Sequence, residues 1–214
     1  MTARPPALIE TIRLRNGAAT LWYLHLRRLA ASCKALGIPF PGKLDVPAGG
    51  ADRMHRLEVG PDGVEVTERE LPATEPVRLR TSSVLHTPYP HKTTDRDHFH
   101  RAFLAARGAG ADDALLSTAS GHVAEATVWC LFWWEGEQLC APARDLGILV
   151  GVSRMRIEEL TGPVAERRVT AAALRGRSLL LANALRGVVE VAALDDVAAP
   201  PQDLTRQLQA RFWP

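Results

Sequence analysis

Residues 86–96 read His86-Thr87-Pro88-Tyr89-Pro90-His91-Lys92-Thr93-Thr94-Asp95-Arg96. Two prolines within three residues remove ladder donors and hold the preceding residues extended, so the stretch predicts a linker dividing the chain into two units, 1–86 and 87–214. A crevice between two such units is a common place for a ligand, and Lys92 stands at it. The chain has three lysines, Lys34, Lys43 and Lys92, against twenty-three arginines, which narrows the search for an amine nucleophile. A lysine of ordinary pKa, about 10.4, is protonated and needs desolvation or a cationic neighbour to become a nucleophile. His91 and Arg96 could help supply that. By residue type alone, a solvated surface lysine is the commoner outcome.

On the N-terminal side, Leu8 to Leu14 alternate as a strand, Asn16-Gly17 makes a turn, and the apolar stretch Leu21 to Leu24 reads as the second strand of a hairpin. From His25, Leu26, Leu29, Ala30, Cys33 and Leu36 recur at helical spacing, with Gly37 and Pro39 as the stop and Arg28 projecting off the apolar stripe. Met54 to Val59 and Val64 to Thr67 flank Pro61-Asp62-Gly63 as a second hairpin, and Val77 to Val84 is a further strand. On the C-terminal side, Phe99, Ala102, Phe103 and Ala106 predict a helix closed by Gly108, followed by a strand at Ala114 to Ser117. The β-branched and aromatic run Val123 to Trp134 lies between turn signals at Ser120-Gly121 and Glu135-Gly136. A helix with Ser153 as N-cap follows. Strands near Val164 to Val169 and Ser178 to Leu185 frame a short helix at Ala171 to Leu174, and a terminal helix comes after Ala198 to Pro201. The sum is an α+β protein with a small N-terminal α/β domain, 1–86, and a larger C-terminal domain, 87–214.

Of 214 residues, 46% are hydrophobic, enough for sizeable cores. The formal net charge of +2 is spread among 24 acidic residues, which gives no argument for nucleic acid or another polyanion. Cys33, Cys130 and Cys140 are an odd number without metal-ligand spacing, which fits a reducing compartment. Met1 to Glu10 holds no apolar signal core, and no apolar run approaches the roughly 18 residues of a membrane span, so a cytoplasmic location is expected. His86, His91, His98 and His100 lack the i, i+4 pairing with an intervening glutamate, so no metal site is expected. Trp129, Trp133 and Trp134 read as core residues rather than a base-stacking platform.

Two further features could carry chemistry. Glu125 lies inside the apolar run Val123-Ala124-Glu125-Ala126-Thr127-Val128, where a carboxylate needs a cationic or protonated partner. An arginine or a water-facing edge position would satisfy it, and so would a pyridinium nitrogen. Leu149-Val150-Gly151-Val152-Ser153-Arg154 is a turn opening into a helix, whose N-terminal amides and dipole suit phosphate. An ordinary capped helix is the commoner meaning of such a turn.

Taken in order, Glu10-Thr11-Ile12-Arg13, His25-Leu26-Arg27-Arg28-Leu29, His91-Lys92-Thr93-Thr94-Asp95-Arg96, Gly121-His122-Val123-Ala124-Glu125-Ala126-Thr127 and Leu149-Val150-Gly151-Val152-Ser153-Arg154 resemble the motifs of the class IV aminotransferases, the fold-type IV pyridoxal-phosphate enzymes. The resemblance spans nearly the whole chain. It implies a homodimer of two-domain subunits with pyridoxal 5'-phosphate between the domains. Lys92 would be the Schiff-base lysine, Glu125 the partner of the pyridine nitrogen and Arg28 the phosphate arginine. The backbone at Val152, Ser153 and Ala184 would complete the phosphate cup. Within the family, His91-Lys92-Thr93-Thr94, Asn183-Ala184-Leu185-Arg186-Gly187 and Thr11 look like 4-amino-4-deoxychorismate lyases, in which such a threonine is thought to deliver a proton. Cys130, Val150 and Phe99 depart from residues usual in the family, and many members have further strands before the Glu-Thr strand. A transaminase for D-amino, branched-chain or simple amine substrates, or a non-catalytic dimeric member, are the other expectations.

Overall fold

The structure, a computed structural model, describes residues 6–214, so the first half of the Met1–Glu10 stretch lies outside it. Its strands are β1 (Leu8–Arg15), β2 (Ala18–Ala19), β3 (Arg53–Gly60), β4 (Gly63–Arg69), β5 (Val77–Thr81), β6 (Asp113–Ser117), β7 (Val123–Ala126), β8 (Cys130–Glu135), β9 (Gln138–Pro142), β10 (Ala165–Arg167), β11 (Leu179–Asn183), β12 (Gly187–Leu194) and β13 (Val197–Ala198). Its helices are α1 (Trp22–Leu36), α2 (Asp97–Gly108), α3 (Val152–Thr161), α4 (Ala171–Leu174) and α5 (Asp203–Phe212).

The first sheet is antiparallel, in the order β2-β1-β3-β4. Asn16 and Gly17 both take positive φ, 51° and 74°, as a two-residue hairpin turn demands. The pairing then stops early. Leu21 sits in the left-handed region at φ 57° and α1 begins at Trp22, so the expected strand over Leu21 to Leu24 is the start of a helix. Four apolar-rich residues fit either period, and packing decides between them: Leu21 and Leu24 are buried against Phe132, Val152 and Ile157 of the larger unit. The other face of α1 covers β1 and β3, with Leu29 and Cys33 against Leu8, Ile12, Leu57 and Val59.

The second sheet has nine strands, ordered β10-β9-β8-β11-β12-β5-β6-β7, with β13 added beside β12. It curls until β7 lies against β8 and β9. Its concave side holds a core of Trp133, Leu115, Leu174, Leu181 and Leu194, and α3 and α5 pack on a second core built round Phe132, Ile157, Leu180 and Phe212. This is the α+β architecture read from the sequence, with three strands, β9, β12 and β13, not expected from it. Because β5 pairs in parallel with both β12 and β6, the two sheets divide between Arg69 and Val77 rather than at residue 86. Ser153 is not the cap of α3: Gly151 holds the cap position without a side-chain bond, and Ser153 is the helix's second residue. Among the described residues, no helix is long and apolar enough to cross a membrane.

Candidate active site

Where the first sheet meets the open end of the second, a cavity of about 240 Å³ remains. Thr11 of β1 and Arg28 of α1 reach it from one side. Lys92, Glu125 of β7, Val152 and Ser153 of α3 and Ala184 of the β11–β12 turn reach it from the other. All seven residues singled out in the sequence therefore line one space.

Lys92 is placed by backbone bonds to β1. Its carbonyl accepts from Ile9 N–H at 2.7 Å, Ala7 carbonyl accepts from Thr94 N–H at 2.8 Å, and Leu8 bridges Thr93. The buried Tyr89 hydroxyl closes the preceding turn, accepting from Thr93 N–H at 2.6 Å and donating to Thr93 O at 2.5 Å. The prolines that suggested a linker thus sit beside a rigid buckle. Burial, then the positive charges of Arg96 and Arg28, bring the Lys92 ammonium down to about 7, so a large fraction of it is neutral at physiological pH.

Glu10 and Arg28 form a charged pair behind the cavity wall. Alternation along β1 turns Glu10 toward α1 and Thr11 toward the cavity. Glu10 accepts from Arg28 Nε at 2.9 Å, from Arg28 Nη2 at 2.5 Å and from His25 Nδ1 at 2.6 Å. Burial pushes this carboxyl up, but the Arg28 charge and the bonds from His25 and Arg28 outweigh it and hold the group at about 2. Burial keeps His25 below its usual range, which makes the Nδ1–H tautomer the natural donor to Glu10. A bidentate grip fixes the plane of Arg28 and leaves Nη1 outside the pair.

Glu125 has one hydrogen-bond donor, Leu149 N–H at 3.2 Å, and His86 Nδ1 at 3.8 Å. Burial lifts its carboxyl to about 7. A carboxylate so poorly paired gains most from a protonated partner on its cavity side.

At the start of α3, the first intrahelical bond runs from Met155 N–H to Gly151 O, so the amides of Val152 and Ser153 precede the ladder and are open to an anion. The Ser153 side chain is used elsewhere, donating to Ala182 O at 3.0 Å and tying the helix start to β11. Gly151 is required by space: a Cβ there would stand 2.7 Å from Cys130 Sγ. On the β11–β12 turn, Asn183 Oδ1 accepts from Leu185 and Arg186 N–H at 3.0 and 2.8 Å, which fixes the loop carrying Ala184.

Four lining or supporting residues had no role in the sequence reading: Glu10, Tyr89, Arg56 and Trp129. The run Glu10-Thr11-Ile12-Arg13 held a signal for the first, since an acid among buried strand positions implies a cation nearby. Arg56 is the cross-strand partner of Thr11, which only the β1–β3 register reveals. Among the described residues, no group of three His, Cys, Asp or Glu side chains could hold a metal.

The chain is similar to known proteins in sequence family and in fold. Residues 63–194 match the amino-transferase class IV family. A proposed 4-amino-4-deoxychorismate lyase from Legionella pneumophila is 25% identical, with a TM-score of 0.82 over 96% of this chain and 91% of that one. A branched-chain aminotransferase from Thermoproteus uzoniensis, solved with norvaline, shares the fold at 18% identity, with a TM-score of 0.86 over 97% and 84% of the two chains. A hypothetical aminotransferase from Mycobacterium tuberculosis, in a form bound to α-ketoglutarate and PMP, shares it at 19% identity, with a TM-score of 0.82 over 99% and 90%. No curated protein sequence matches the chain.

Proposed function

The chain belongs to the class IV amino-transferase family, whose members depend on pyridoxal phosphate, and from that premise we propose that it is a lyase converting 4-amino-4-deoxychorismate to 4-aminobenzoate and pyruvate. The residues present fit the cofactor. An arginine locked by a carboxylate and two helix-start amides suit its phosphate, a poorly paired buried carboxyl suits its ring nitrogen, and a lysine brought down to about 7 suits its aldehyde. The observation that carries the lyase reading over a branched-chain transaminase is Thr11, which faces the same cavity as Lys92.

When bound, pyridoxal phosphate supplies an electron sink for a carbanion formed next to the substrate nitrogen. Lys92 Nζ, neutral near pH 7, takes the proton from the ring carbon bearing the amine. Thr11 Oγ1 delivers a proton to the enolpyruvyl group as its bond to the ring breaks, so that it leaves as pyruvate and the ring becomes aromatic. Glu125 would sit as an anion beside the ring nitrogen and would favour its protonated form. Arg28, oriented by Glu10, would hold the phosphate.

The test is an absorbance spectrum of the purified protein, then addition of 4-amino-4-deoxychorismate with detection of 4-aminobenzoate and pyruvate, and Lys92→Ala as control. A cofactor band with product formation that needs Lys92 is expected. A band with transfer of an amino group to a keto acid and no 4-aminobenzoate assigns a transaminase instead, and no band after added cofactor assigns a non-catalytic member. The same reading includes a homodimer, checked by sedimentation of the loaded protein.

A further inference from the structure

Among the residues lining the cavity, five are cationic, Arg28, Arg56, Lys92, Arg96 and Arg186, against one carboxylate, Glu125. Four of the five have an evident use. Arg28 is held by Glu10, Arg56 bonds Glu58 through Nε and Nη2 at 2.8 and 2.6 Å, Arg96 Nη2 donates to Thr127 O at 2.5 Å, and Lys92 is the amine. Arg186 differs: like Arg96 it is in no ion pair among the described residues, but unlike Arg96 its side chain donates no hydrogen bond among them, and its buried Nε has no acceptor. Asp113 exerts an attraction on it; Asp113 Oδ1 accepts from Thr127 Oγ1 at 2.5 Å and Ala114 N–H at 2.7 Å while its Oδ2 is buried without a partner, and no ion pair joins Asp113 to Arg186.

Arg186 is also well positioned. Asn183 fixes its backbone amide, Arg13 Nη1 donates to the preceding Leu185 O at 3.0 Å, and its guanidinium lies over the Trp129 ring, 4.8 Å from the centroid. With Val128 and Trp129 it forms the wall between this cavity and an adjoining one of about 330 Å³. An arginine does not shed its proton inside a protein, so a half-buried guanidinium whose inner Nε has no acceptor is suited to an anion in the cavity.

We propose that Arg186 binds a carboxylate of the substrate, and that it selects amines carrying a carboxylate on a ring over neutral amines. The proposal rests on the preceding functional reading in one respect: the phosphate end of the cavity, at Arg28 and the start of α3, is taken by the cofactor, which leaves Arg186 for the substrate.

The test is calorimetric titration of the cofactor-loaded protein with 4-aminobenzoate and with aniline, which has no carboxylate, for the unsubstituted protein, Arg186→Met and Arg186→Lys. The cofactor band and melting temperature report folding. Expected is a loss of at least tenfold in 4-aminobenzoate affinity for Arg186→Met, a smaller loss for Arg186→Lys, no change for aniline, and, in turnover, a raised KM with kcat less affected. Equal 4-aminobenzoate affinity in all three proteins overturns the proposal. So does an equal weakening of both probes, or a loss of stability in Arg186→Met that Asp113→Asn reverses while 4-aminobenzoate binding is unchanged. Arg186-dependent binding without turnover of 4-amino-4-deoxychorismate would remove the lyase and leave this contact; normal turnover by Arg186→Met would do the reverse.

Discussion

Lys92 and Glu125 face one cavity with opposite displacements that meet near neutrality, each at about 7 and each driven first by burial. An amine must lose its proton before it attacks an aldehyde, so the rate at which cofactor-free protein takes up pyridoxal phosphate is expected to rise with pH through about 7 and level off above it. Stopped-flow absorbance measures this, and a rate still climbing at pH 9 contradicts it. Arg96 is the leading charge that depresses Lys92, so Arg96→Met is expected to move that midpoint upward. For Thr11→Val we expect an unchanged cofactor band and a kcat lower by roughly 10²-fold, the lower end of what a positioned proton donor contributes. Lys92, Glu125 and Arg28 were legible because their order along the chain matches a family pattern. Arg56 was not, because what marks it is a cross-strand register, and Arg186 was open only to a guess as a carboxylate binder, because what marks it is the absence of a partner; both are set by tertiary neighbours.

At the level of elements, the site depends on how the start of α3 seats against β8. Gly151 has an ordinary φ of −69°, so the demand for glycine comes from Cys130 Sγ and not from backbone strain. Gly151→Ala is expected to lose about 1–3 kcal/mol, the usual range for overpacking, together with cofactor affinity. Adding Cys130→Ala makes room and is expected to restore most of both, read by thermal melting and cofactor titration. The turn at Leu149–Arg154 was legible in the sequence, but the cap of α3 is Gly151 and not Ser153. A serine beside a turn has the right type for capping, yet a hydrogen bond to Ala182 O on a strand far along the chain claimed the hydroxyl. The α1 start was misjudged for a related reason. Leu21 and Leu24 are buried by the larger unit, and nothing within residues 18–24 records that contact.

For the whole molecule, the pair of Glu10 with Arg28 and His25 joins local electrostatics to global stability. A carboxyl held at about 2 in the fold and near 4.5 when unfolded contributes roughly 3 kcal/mol at neutral pH. The sign is that of a depressed acid: the contribution is complete above about 4.5 and is lost as pH falls toward about 2. Glu10→Gln, which leaves Arg28 without its carboxylate, is expected to cost about 3–5 kcal/mol and to flatten the acid limb of the stability curve seen in urea melts between pH 5 and 3. The α+β class was legible from periodicity and turns, while the division between sheets was not, since the parallel partners of β5 lie more than thirty residues away in sequence.

By chain order Lys92 follows β5 and belongs with the larger sheet, yet residues 92–94 pair with Ala7, Leu8 and Ile9 beside the smaller one, Lys92 itself through its carbonyl to Ile9 N–H. Thr11 and Arg28 lie before the inter-sheet crossing at 70–76, and Lys92 and Glu125 lie after it. A chain severed there would therefore yield two fragments, neither able to retain pyridoxal phosphate by itself. Mixed, they have a ready-made seam in the Ile9 and Thr94 bonds, and cofactor binding would drive their reassembly. Such a pair is expected to work as a split reporter, colourless apart and yellow together, with reconstitution that follows the concentration of the vitamin.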